Sequence, residues 1–113
     1  MKKINHNNWI KGESYQKKVL IENLKDKINL IEEAIIVPQG EVPLHRHEQT
    51  DEIFYIVENS AMMTVGNQEF EVSPGEIIHV EKNEQHGFKN NSDQEFKLLV
   101  LKINFKTGDS YLK

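Results

Sequence analysis

The chain has 113 residues, which fits one domain around one core and is too short for two independent ones. Eighteen acidic residues against 14 basic ones give a formal charge of -4, and Arg46 is the sole arginine, which argues against a nucleic-acid partner. Cysteine is absent, so disulfides and thiolate metal sites are excluded, any metal must be held by nitrogen and oxygen, and the composition fits a reducing compartment.

In chain order, the opening MKKINHNNWIKGESYQKK carries Lys2 and Lys3 but lacks the apolar stretch of a signal peptide. No apolar run reaches the length of about 18 residues that a membrane span requires. The expectation is a soluble, cytoplasmic protein with no membrane partner, in which residues 1–18 form a polar arm packed locally through Trp9 and Ile10.

From Val19 the texture changes to short runs rich in Ile, Val, Leu and Phe: VLIENL, INLIEEAIIV, DEIFYIV, AMMTV, QEFEV, EIIHV, HGFKN and EFKLLVLKINF. Turn formers separate them at DK, PQG, ENS, GNQ, SPG, KNEQ and NNSD. These runs predict an all-β sandwich or closed barrel over residues 19–113. Gly66-Asn67 is a two-residue loop whose glycine accepts positive φ, so AMMTV and QEFEV are expected to pair as a hairpin. No segment sustains a 3.6-residue period, and no helix is predicted.

EFKLLVLKINF is apolar on both faces, with Leu98 and Val100 on one side and Leu99, Leu101 and Ile103 on the other. A barrel buries only one face. The second is expected either to lie beneath the N-terminal strands or, the favoured reading, to form a homodimer interface. Phe54, Ile56, Met62, Phe70, Phe88, Phe96, Leu98 and Val100 are candidates for core or for an apolar pocket.

The segment GEVPLHRHEQTDE, Gly40 to Glu52, holds two histidines one residue apart in a predicted strand. Alternation puts the His45 and His47 imidazoles on one face and Arg46 on the other. The polar EQTD bends the chain before the next strand, where Glu52 can return to the same site. His86 shares a strand face with Phe88 and is the fourth candidate. Three imidazoles and one carboxylate suit one divalent ion of Fe, Mn, Ni, Co, Cu or Zn, and an octahedral ion would keep positions open for a small-molecule substrate or ligand. His79, in EIIHV, is read as an outward-facing or supporting histidine, His6 as unrelated to the site, and Lys82 and Lys89 as solvated surface offset by Glu81 and Glu84.

Gly40 to Glu52 resembles the first motif of the cupins, G(X)5HXH(X)3,4E(X)6G, and Gly75 to Asn90 resembles the second, G(X)5PXG(X)2H(X)3N. His45, His47 and Glu52 fall in place in the first, and Gly75, His86 and Asn90 in the second. Four residues, not five, separate Gly40 from His45; Asn59 replaces the closing glycine; Glu81 and Asn83 replace the proline and glycine of PXG. Asparagine tolerates left-handed backbone, so Asn59 and Asn83 are expected to keep the tight turns, while Glu81 in place of proline is expected to loosen the loop before His86. The resemblance implies a jelly-roll barrel (double-stranded β-helix), one metal in the barrel mouth held by His45, His47, Glu52 and His86, and frequent dimerisation. It implies no single reaction. The expected function is a metal-dependent enzyme, dioxygenase- or isomerase-like, acting on a small organic molecule, with a non-enzymatic module that senses or carries a metal or metabolite as the alternative. No separate catalytic acid, base or nucleophile stands out.

Overall fold

A computed structural model describes residues 9–22 and 27–112. Its strands are Ile10–Lys11 (β1), Tyr15–Glu22 (β2), Ile28–Ile36 (β3), Glu41–Arg46 (β4), Asp51–Glu58 (β5), Ala61–Val65 (β6), Gln68–Val72 (β7), Ile77–Val80 (β8), His86–Lys89 (β9), Phe96–Ile103 (β10) and Tyr111–Leu112 (β11). Every pairing is antiparallel. One sheet runs β1, β2, β3, β10, β5, β8 and the other β11, β4, β9, β6, β7. This is the all-β architecture that the strand rhythm predicts, in the two-sheet jelly roll that the resemblance implies.

Strand parity sets the core. Along β10 the buried positions are Phe96, Leu98, Val100 and Lys102, each alternating with a part-buried neighbour. The first three pack with Ile36, Phe54, Ile56, Met63, Val72, Val80 and Phe88 between the sheets. Met63, not Met62, is the fully buried member of the methionine pair, and Phe70, only part-buried, packs against the core.

The predicted hairpin forms, with Val65 opposite Gln68 and Gly66 at φ 59. Asn59 and Asn83 take positive φ, 63 and 69, so both carry the turns expected of the glycines they replace. At Gly87 a side chain is impossible: a Cβ would lie 2.6 Å from the Val42 carbonyl oxygen. That close approach lets β4 lie against β9 and brings His45 opposite His86.

Part of the predicted arm is strand. β2 begins at Tyr15, where Tyr15 to Lys18 pair with β3, and β1 adds a two-residue ladder. Trp9 packs beneath the Lys18 ammonium, 4.7 Å from the ring centroid, whereas Ile10 is exposed. Because β2 sits beside β3 in the same sheet, the described N-terminal residues do not cover the outer face of β10. No helix among the described residues is long and apolar enough to cross a membrane.

Candidate metal centre

The four predicted ligands meet. His45 lies in β4, His47 just beyond its end, Glu52 near the start of β5 and His86 at the start of β9. One donor atom from each falls within 4.8 Å of all the others. Glu52 and His86 are buried in the barrel mouth, His47 nearly so.

Each imidazole is oriented by a backbone carbonyl. His45 Nδ1 donates to the Pro43 oxygen at 2.8 Å, His86 Nδ1 to that of Glu84 at 3.1 Å, and His47 Nδ1 to that of Asp109. A carbonyl can only accept, so the proton sits on Nδ1 in each neutral ring and the Nε2 lone pair is left for the site. His47 Nε2 and His86 Nε2 both lie 2.8 Å from Glu52 Oε1. None of these three buried atoms has a hydrogen-bond partner of acceptable geometry. Buried acceptors facing one another with no proton between them are costly unless a cation occupies the point where they converge. For metal–donor distances of ~2.1 Å, adjacent donors on an octahedral ion stand ~3.0 Å apart, close to the spacing here. The donor set fits a divalent ion.

The charges agree. Burial pushes the Glu52 carboxyl up, but the His47 and His86 rings and the Lys102 ammonium outweigh it and hold the group well below the usual carboxylate range. Burial likewise lowers His47, yet Glu52 and the Asp109 carbonyl prevail and raise it. His45 is lowered by burial and by the other two rings, against the pull of the Pro43 carbonyl.

Two supports were not legible as site residues. Asp109 is a latch: its carboxylate accepts from the Glu48 and Gln49 amides at 2.8 and 2.9 Å and from the Thr50 hydroxyl at 3.0 Å. It thus fixes the bend between His47 and Glu52. Burial opposes its ionisation, and these donors still hold its carboxyl below the ordinary value. On the other side, Asn83 N–H donates to the His47 carbonyl at 2.6 Å and Lys82 N–H to the Asp51 carboxylate at 2.8 Å.

The loop at Glu81 carries a contact that proline could not make. Proline has no N–H, whereas the Glu81 amide donates to the Glu84 carboxylate at 2.8 Å and closes the loop on itself. Asn90, the last residue of the second motif, is structural: its side-chain amide donates to the Ile36, Val37 and Gln94 carbonyls. His79 faces outward, half-exposed and 3.7 Å from the Asp51 carboxylate, outside the cluster. His6 lies outside the described residues.

The cluster opens into a cavity of about 410 Å³, walled by Phe54, Phe88, Leu98 and Val100 among others. Ile56 and Phe96 are core. The family of cupin domains matches residues 33–102, which include all four candidate ligands. The chain belongs to the cupin domain family. This cupin is 34% identical over 67 residues to an uncharacterised protein of Methanocaldococcus jannaschii, covering 59% of the chain and 54% of that protein. It is 26% identical over 82 residues to an oxalate-binding protein of Thermotoga maritima, covering 71% of the chain and 68% of that protein. The chain thus spans about half the length of the first of these relatives. Its fold superposes with a TM-score of 0.75 on a crystal structure from Thermotoga maritima described as a predicted oxalate decarboxylase, at 20% identity, covering 80% of this chain and 81% of that one.

Proposed function

We propose that this cupin is a metal-dependent enzyme that holds one divalent ion through His45, His47, Glu52 and His86 and acts on a small organic molecule in the adjoining cavity. The carrying observation is the convergence of three buried, unpaired acceptor atoms, Glu52 Oε1 and two imidazole nitrogens whose tautomers are set by backbone carbonyls. When bound, such an ion supplies Lewis acidity or redox chemistry. The chain's own residues do the rest: carbonyls aim the imidazoles, Asp109 and the 81–84 loop hold the ligand segment, and the apolar wall of Phe54, Phe88, Leu98 and Val100 keeps bulk water from the reacting face.

The test is an oxygen-electrode and metabolite screen on protein loaded anaerobically with Fe(II) or Mn(II). Turnover is expected, and Glu52→Ala is expected to abolish it. The Thermotoga maritima relative is named as a binding protein, which favours one second reading: a module that senses or carries a metal or metabolite. A ligand-induced rise in melting temperature with no turnover of any candidate would replace the enzyme reading with that one.

We further propose a homodimer through the outer face of the six-stranded sheet. Register places Tyr55 between Leu99 and Ile77 there, and Tyr55, Val57 and Ile77 are exposed. Placing a charge in that patch by Tyr55→Glu is expected to halve the mass measured by sedimentation equilibrium, and a mass that is already monomeric in the parent protein would refute the assembly.

A further inference from the structure

The metal centre leaves unused a second group of buried charges on the cavity wall. Glu32 of β3 and Lys102 of β10 both point inward, each under 10% exposed, with Lys102 Nζ 3.1 Å from Glu32 Oε1. Lys17 of β2 approaches the same carboxylate, 3.8 Å from Oε2. Lys102 is also the cross-strand neighbour of the ligand Glu52, so its ammonium stands beside the metal centre. We propose that the cavity takes a small carboxylate, ideally a dicarboxylate, whose anionic group pairs with Lys102 and secondarily with Lys17; this rests on the metal reading above.

Charge carries the argument. The cavity is lined by three lysines, Lys17, Lys102 and Lys106, and by three carboxylates, Glu32, Glu52 and Asp109. They balance. A divalent ion beside neutral imidazoles then offsets the buried carboxylates and leaves the cavity with a net two positive charges, carried at its rim by Lys17 and the exposed Lys106, where they draw an anion inward. An occupant bringing carboxylates cancels that excess, and a neutral occupant does not.

Donor supply points the same way. An ammonium offers three donors, and among the described residues Lys102 meets one acceptor, Glu32, with the Phe105 ring 5.1 Å beneath it. Two donors remain for an occupant. A purely structural role is the weaker account, because a buried ion pair is commonly no more stabilising than apolar residues of like volume. Here two lysines share one carboxylate, which is an excess of cation over what pairing alone needs.

The experiment titrates Mn(II)-loaded protein, freed of excess metal, with malonate and succinate and with their neutral diamides, by calorimetry, with metal content measured on the same samples. At least one dicarboxylate is expected to bind about tenfold or more tightly than its diamide, as a charge-assisted contact predicts. Lys102→Met is expected to lose about tenfold in that affinity with metal content unchanged, while Lys102→Arg keeps most of it. Equal binding of acid and diamide, or unchanged malonate and succinate affinities in Lys102→Met, overturns the proposal. If Lys102→Met does not fold, Lys17→Met, at the more exposed rim, decides: a smaller loss supports the proposal and no loss overturns it. Absence of metal uptake by the parent protein overturns the functional reading and this one with it; uptake without preference for carboxylates overturns this one alone.

Discussion

Protein in which His45 and His47 are both replaced by alanine is expected to retain essentially no metal after dialysis, where the parent chain retains close to one divalent ion. Two of four donors disappear, and with them the His45 ring of β4 and the His47 ring just beyond its end. Loss of a partner that merely orients a ligand costs 10–100-fold in affinity, so loss of two ligands is expected to cost roughly a thousandfold or more. Elemental analysis of both proteins at matched concentration makes the measurement, and equal metal content in the double variant would remove the assignment. The same measurement against pH has a definite sign. Ligation needs neutral imidazoles, so affinity falls as pH falls through about 6.5. Of the two β4-side rings, His47 is raised by Glu52 and His45 lowered by burial, so His47 takes up its proton at the higher pH. In metal-free protein Glu52 adds a second window. Its folded pKa is depressed, so its stabilisation is present above the unfolded value of about 4.3 and is lost as pH falls below it.

Glu32→Leu is expected to destabilise the metal-free protein by about 3–4 kcal/mol, since it strands the buried Lys102 ammonium without its carboxylate. For a domain of this length that corresponds to a fall in melting temperature of roughly 10–15 °C. The double variant Glu32→Leu/Lys102→Met is expected to recover most of the loss, because an apolar pair of similar volume leaves no charge in the wall. Lys17 sits nearer solvent and can turn outward, so it adds little to the penalty. Thermal unfolding of the three proteins reads this directly, and a Glu32→Leu protein as stable as its parent would show that Lys102 reaches water by another route.

Most of the candidate cluster was legible because one rule, the two-residue period of a strand, put His45 and His47 on a common face, and the second motif added His86. The same parity held the signal for the charged wall. Lys102 continues the Leu98, Val100 face of EFKLLVLKINF, and Glu32 continues the Leu30, Ala34, Ile36 face of INLIEEAIIV, so two charges sat on inner-face positions. They pass unnoticed when apolar residues alone are assigned to faces. Asp109 had no such signal. It lies in a turn, and its contacts with residues 48–50 join positions about 60 apart, which no local pattern encodes. The two-residue strands β1 and β11 are likewise too short to show a period, and Tyr15 to Lys18 read as arm because a polar sequence can still supply backbone pairing to β3.

The latch at Asp109 also bears on when the site comes into being. His47 depends for its tautomer on a carbonyl 62 residues further along, and β11 then pairs Tyr111 and Leu112 with Arg46 and His45. A growing chain that has emerged only as far as β10 holds every candidate ligand yet lacks the group that fixes which nitrogen of His47 bears hydrogen. On the metal reading proposed above, an ion would therefore find its final geometry only after β11 has joined its sheet.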